Sequence, residues 1–143
     1  MTTLAQVLAS SQRAPLSARA AMHAAVQIDQ MSDVAFARRG LLSVPLSGAG
    51  DILVFRAALR AASADLGLLM DLAECGPDGP RLQVIAVPVP PDGFDTLPVA
   101  DLMVSLYNAG TVPRLMLVLT DGTQHPMQDL LKRAAQWWQT QPI

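Results

Sequence analysis

The run Leu115-Met116-Leu117-Val118-Leu119 has no polar residue at any alternate position, and Val84-Ile85-Ala86-Val87 shares that property. A strand wetted on one face alternates apolar with polar residues, because successive side chains point to opposite faces. Unbroken apolar runs are therefore expected in strands covered on both sides, as in a parallel sheet packed between helices. A third, shorter run, Leu41 to Leu46, carries Pro45 and is expected at a strand end or edge.

Each run leads into turn residues and then into a helical pattern. Ser47-Gly48-Ala49-Gly50-Asp51 precedes the helical segment 51–74, PPDGFDT precedes a helix from Leu97 to Ala109, and Thr120 to His125 precedes one from Pro126 to Thr140. The strands are expected over Leu41–Leu46, Arg81–Val89 and Arg114–Leu119. Upstream, the pattern predicts helices from Thr3 to Ser10 and from Pro15 to Met31, the second starting at a proline suited to a first turn. Its polar side carries Arg19, His23, Gln27 and Gln30. Alanines on its other side allow close approach of a neighbour. The expected fold is α/β: a small, mainly parallel sheet of three to four strands flanked by helices. It forms a single domain over 1–143, with a helical segment 1–40 packed on the 41–143 unit.

Two helices carry more detail. In segment 51–74 the polar residues Arg56, Arg60, Ser63, Gly67, Asp71 and Glu74 form a thin stripe, and nearly everything else is apolar. This predicts the most buried helix of the fold. Asp65 falls about 180° from that stripe at ~100° per residue, and an unpaired buried carboxylate is costly. A break or register shift is therefore expected at Asp65-Leu66-Gly67. The last helix gathers Met127, Leu130, Leu131, Ala134, Trp137 and Trp138 on one face. The two tryptophans suit either core closure or an interface.

Apolar residues make up 51% of the chain and charged residues 15%, below the usual quarter or so. This excludes disorder. It also leaves a thin polar coat, which favours self-association or a protein partner. The net charge of −2, with arginines dispersed and Lys132 the only lysine, excludes a basic stripe for nucleic acid. Cys75 is the only cysteine and cannot form an internal disulfide. The start of the chain lacks the pattern of a secretory leader, and no apolar run is long enough for a membrane span. A cytoplasmic location is the resulting expectation.

In a parallel sheet, the strand-to-helix loops emerge along one edge, where ligands bind in open α/β folds. That edge would collect Ser47, Gly48, Gly50 and Asp51; Asp92, Asp95 and Thr96; and Thr120, Asp121, Thr123 and His125. The catalytic candidates are His125 as general base, near a helix start that disfavours its protonated form, and Asp121 as its orienter. The ligand-binding candidates are Ser47, Gly48, Gly50, Asp51, Asp92, Asp95 and Thr123. The same residue types also serve tight turns and helix caps. No metal site is assigned. No cofactor is implied either, since SGAGD lacks the third glycine of a dinucleotide fingerprint and the Lys-Ser/Thr pair of a P-loop.

The stretch LVLTDGT resembles fragments of two families. Asp121-Gly122-Thr123 matches part of the Asp-x-Asp-Gly-Thr motif of haloacid-dehalogenase-type phosphatases, but Leu119 stands at the nucleophile position. Leu119 to Gly122 is similar to a strand end in von Willebrand A-type domains, but SVPLS at 43–47 lacks the acid of their metal motif. Each likeness spans about five residues and neither carries its family's chemistry. The sequence therefore points first to a non-enzymatic, homo-oligomeric protein-interaction or regulatory module, with Trp137 and Trp138 as interface candidates. The first alternative is a small hydrolase or transferase using the loop carboxylates with His125. The second is an apolar-ligand carrier lined by methionines.

Overall fold

The computed structural model describes residues 4–74, 76–88, 101 and 110–143. In chain order, α1 (Leu4–Arg13), α2 (Ala18–Ala37), α3 (Ile52–Ala62) and α4 (Ala64–Ala73) precede β1 (Arg81–Pro88), β2 (Thr111–Val118), β3 (Gln124–Pro126) and α5 (Met127–Gln139). The expected helix Leu97–Ala109 lies, apart from Asp101, outside the described residues.

The centre of the helical layer is α2. Ser17 caps it, its hydroxyl accepting from the Ala20 N–H at 3.1 Å. Ala21, Ala24, Ala25 and Ile28 are fully buried on its inner face. The small alanine side chains let α1, α3, α4 and α5 all pack against it. Arg56 of α3 meets Asp29 of α2 at 2.6 Å, and Phe55 packs against Phe36 with ring centroids 5.5 Å apart.

The segment 51–74 breaks, two residues earlier than expected. Ser63 closes α3, its N–H donating to the Leu59 carbonyl at 2.9 Å. It also opens α4, its hydroxyl accepting from the Leu66 N–H at 3.3 Å. Asp65 thus falls in the first turn of α4, where the helix dipole favours a carboxylate. It receives two bonds from Arg133 of α5, both at 3.2 Å. The burial expected of the whole segment concentrates in α4, where Leu66, Leu69, Met70 and Leu72 are enclosed, while α3 buries Phe55 and Leu59 but turns Leu53 outward at 76% exposure.

The sheet corrects the expected architecture. Among the described residues it has three strands in the order β1-β2-β3, each pairing antiparallel. Arg81 pairs with Val118 and Pro88 with Thr111 at the two ends of the β1–β2 ladder. The physical reason lies in β2. Leu115 and Leu117 belong to the core beneath the helices, whereas Val112, Met116 and Val118 are also buried but alternate onto the other face. Coverage on both faces makes the run continuously apolar, and coverage does not fix the direction of the neighbouring strand.

The expected strand Leu41–Leu46 is instead an irregular connection between two short 3-10 turns, Arg39–Leu41 and Leu46–Gly48. Leu42 and Leu46 are buried while Leu41 and Val44 point outward. That burial at a four-residue spacing suits a coil wrapped over the core and not the two-residue period of a strand. Among the described residues, no helix is long and apolar enough to cross a membrane.

Candidate functional site

The stretch after β2 forms a hairpin turn to β3. The Leu119 N–H donates to the Thr123 carbonyl at 2.8 Å, and the Gly122 N–H donates to the Leu119 carbonyl at 3.0 Å. Gly122 adopts φ +89°, the left-handed geometry that closes a three-residue loop after a type I turn. Asp121 is exposed, and its carboxylate accepts from the Thr123 N–H at 2.9 Å. That bond first, then one to the Thr123 side chain, holds its pKa below the ordinary carboxylate value, with a smaller pull from His125. His125 pairs with Leu117 on β3 and is half-buried. Asp121, Thr123 and His125 thus share one hairpin, and the carboxylate is committed to the turn itself.

Ser47, Gly48, Gly50 and Asp51 sit instead on the connection from α2 to α3. Asp51 caps α3, its carboxylate accepting from the Val54 N–H at 2.9 Å. Asp92, Asp95 and Thr96 lie outside the described residues. The edge expected to collect these three groups depended on parallel strands. In the antiparallel sheet, the chain leaves β1 and β2 at opposite ends, and the 41–46 segment contributes no strand. The premise for one shared rim, parallel strands with loops along one edge, is therefore absent from the described sheet.

A groove of about 550 Å³ does run beside the hairpin, lined by Asp71, Glu74, Asp78 and Asp121. Arg60 already neutralises part of it, meeting Asp71 at 2.7 Å and Glu74 at 3.9 Å. Among the described residues, no three His, Cys, Asp or Glu side chains are grouped to hold a metal ion.

The tryptophans divide their roles. Trp138 is 4% exposed in the core, and Trp137 packs partly against it, edge-on with centroids 5.0 Å apart. Trp138 is thus engaged within the single chain, and Trp137 keeps a partly open ring.

The feature that sequence reasoning missed is the edge position of β1. It is an edge strand, paired only with β2 among the described residues. On its helix side, Leu82 reaches the core, but Val84 is 49% exposed and Ala86 is exposed. Their cross-strand partners on β2 are Leu117, Leu115 and Pro113, and α5 packs over β2 and β3. Strand β1 therefore overhangs the helical layer, presenting one backbone edge and part of its inner face. Its only charge is Arg81 at one end, whereas exposed edges are ordinarily blunted by interior charges or bulges. The signal was in the sequence: a polar Gln83 inside the run, and prolines bracketing it at Pro80 and Pro88.

Comparison with known proteins finds no matching family model, no matching curated protein and no matching solved structure.

Proposed function

We propose that this chain is a non-enzymatic protein-interaction module whose working element is the edge of β1 left unpaired among the described residues. The observation that carries this reading is the overhang: an eight-residue strand with Val84 half-exposed beside the fully covered Leu115. An open edge offers a row of backbone donors and acceptors, and an extended segment of another chain satisfies them by adding a strand. The thin polar coat of the sequence supports the same reading. The test is to compare wild type with Val84→Lys, a charge placed on the edge, in sedimentation and in capture from a lysate of the source cells. Association that the lysine weakens supports the module. A monomer that captures nothing, or an association indifferent to the lysine, overturns it.

A second reading has its own observation. A cleft of about 500 Å³ is lined by Leu16, Val87, Leu115, Met116 and Met127, with the Arg114–Asp101 pair (3.0 Å) on its wall. This lining favours an apolar-ligand carrier, with methionines supplying an adaptable surface. Titration with a fatty acid tests it, read as quenching of tryptophan emission and repeated on Met116→Lys.

A further inference from the structure

We infer that the strand added to β1 is β1 of a second copy of this chain, paired antiparallel about a two-fold axis at Val84. This rests on the reading of β1 as the working edge and goes further by naming the occupant and the register.

Three features of the strand lead to it. The first is parity. In an antiparallel pair, residues opposite one another share a face of the sheet. A two-fold axis normal to the sheet must then pass through a residue, not between two. The second is length. Pro88 has no N–H to donate, so a new ladder ends at Val87. The run from Arg81 to Val87 has Val84 at its midpoint. In that register Val84 meets Val84 of the second copy and Leu82 meets Ala86 on the helix side. Gln83 meets Ile85 and Arg81 meets Val87 on the far side. The most exposed large apolar side chain of the described sheet thus lies on the axis, where association covers it twice.

The third feature is charge. Arg81 is the only ionised side chain of β1, and the two arginines of a pair lie six residues apart along the ladder. At ~3.4 Å per residue this separation is roughly 20 Å, about twice the screening length in physiological salt. The strand therefore does not repel itself, and it is as uncharged along its middle as the surface it would cover. The product is a continuous six-stranded antiparallel sheet, with β3 of each copy at the outer edges. A closed isologous pair of this kind stops at two copies.

The test uses the self-opposition of residue 84. By sedimentation equilibrium, wild type is expected to dimerise. Val84→Lys alone and Val84→Glu alone are each expected to bind themselves roughly tenfold or more weakly, because like charges are placed directly opposite. An equimolar mixture of the two variants is expected to recover a heterodimer within about tenfold of wild-type affinity. Urea melts of each variant confirm that the fold persists. If the charges unfold the chain, Val84→Cys on a Cys75→Ser background replaces them. A short thiol cross-linker is expected to join two copies at position 84, while Arg81→Cys on the same background, roughly 20 Å from its counterpart, is not joined. A dimer that neither charge weakens, or one cross-linked equally at 81 and 84, overturns the register. A wild type that stays monomeric overturns the second copy. If that monomer still captures another protein and loses it on Val84→Lys, the edge reading survives without it.

Discussion

Val84 and Leu115 stand opposite each other across β1 and β2, on the same face of the sheet, yet Val84 is 49% exposed and Leu115 is 3% exposed. The contrast marks where the helical layer stops. Leu115→Ala is expected to cost about 2–4 kcal/mol, since it opens a cavity in a closed core. Val84→Ala is expected to cost under about 1 kcal/mol, as is usual away from the core. Urea unfolding at concentrations that keep the chain monomeric measures both. Equal costs would mean that the overhang is covered within one chain.

Ser63 serves two helices, and the two roles use different atoms. Ser63→Ala leaves the α3 closure in place, because the bond to Leu59 uses the backbone N–H. It removes the hydroxyl that accepts from Leu66. A loss of about 1 kcal/mol is expected, typical of an N-cap. Ser63→Thr should recover most of it, measured as the shift in urea midpoint at unchanged slope.

The helices were largely legible in the sequence, and the sheet's direction was not. Periodicity of 3.6 residues located α1, α2 and α5 within a few residues at most ends, because burial on one side writes itself into that spacing. Asp65 correctly signalled that 51–74 could not be one straight helix, and the capping chemistry of Ser63 set the break two residues earlier. Strand identity at β1 and β2 was also written in their apolar runs. Their relative direction was not, since Leu115 to Val118 would be buried on both faces whichever way β1 ran. The candidate rim rested on that direction. Asp51 and Asp121 are residue types that suit turns and caps as well as sites, and both carboxylates are engaged by backbone N–H groups.

Asp121 should titrate below an ordinary aspartate. Its carboxylate is held first by the backbone N–H of Thr123 and then by the Thr123 side chain. The folded chain binds this proton less readily than the unfolded chain, so the bonds to Thr123 stabilise the fold when the carboxylate is ionised. The stabilisation is complete above the unfolded carboxylate pKa and is lost as pH falls through the lowered folded value. A carboxyl-carbon NMR titration is expected to place the midpoint below the usual range. Thr123→Ala should raise it only in part, because the larger contribution comes from the backbone. An unshifted midpoint would mean that the turn does not hold the carboxylate.

Ser32 is 1% exposed on α2, and its hydroxyl has no hydrogen-bond partner among the described residues. A buried polar group without a partner carries a desolvation cost of about 1–3 kcal/mol. Ser32→Ala also improves helix propensity. The variant is therefore expected to be more stable by about 1 kcal/mol, read as a higher urea midpoint. A loss of stability would reveal a bond to the hydroxyl that this geometry lacks.

Trp138 tests whether the tryptophan pair closes the core or serves an interface. Its ring is buried, and its Nε1–H finds no acceptor among the described residues. Trp138→Phe removes that orphaned donor while leaving a smaller void, so the two effects offset and the net change should lie within about 1 kcal/mol. Trp138→Ala forfeits the ring and should cost about 3–5 kcal/mol. Trp137→Ala should cost less, about 1–2 kcal/mol, through partial burial and the lost edge-on contact. All three are read from urea melts of the monomer, alongside sedimentation of each variant that remains folded. Core closure requires that stability fall in the order Trp138→Phe, Trp137→Ala, Trp138→Ala, with self-association unchanged by Trp137→Ala. A Trp137→Ala variant that keeps its stability but loses its dimer would move the interface from β1 to the end of α5.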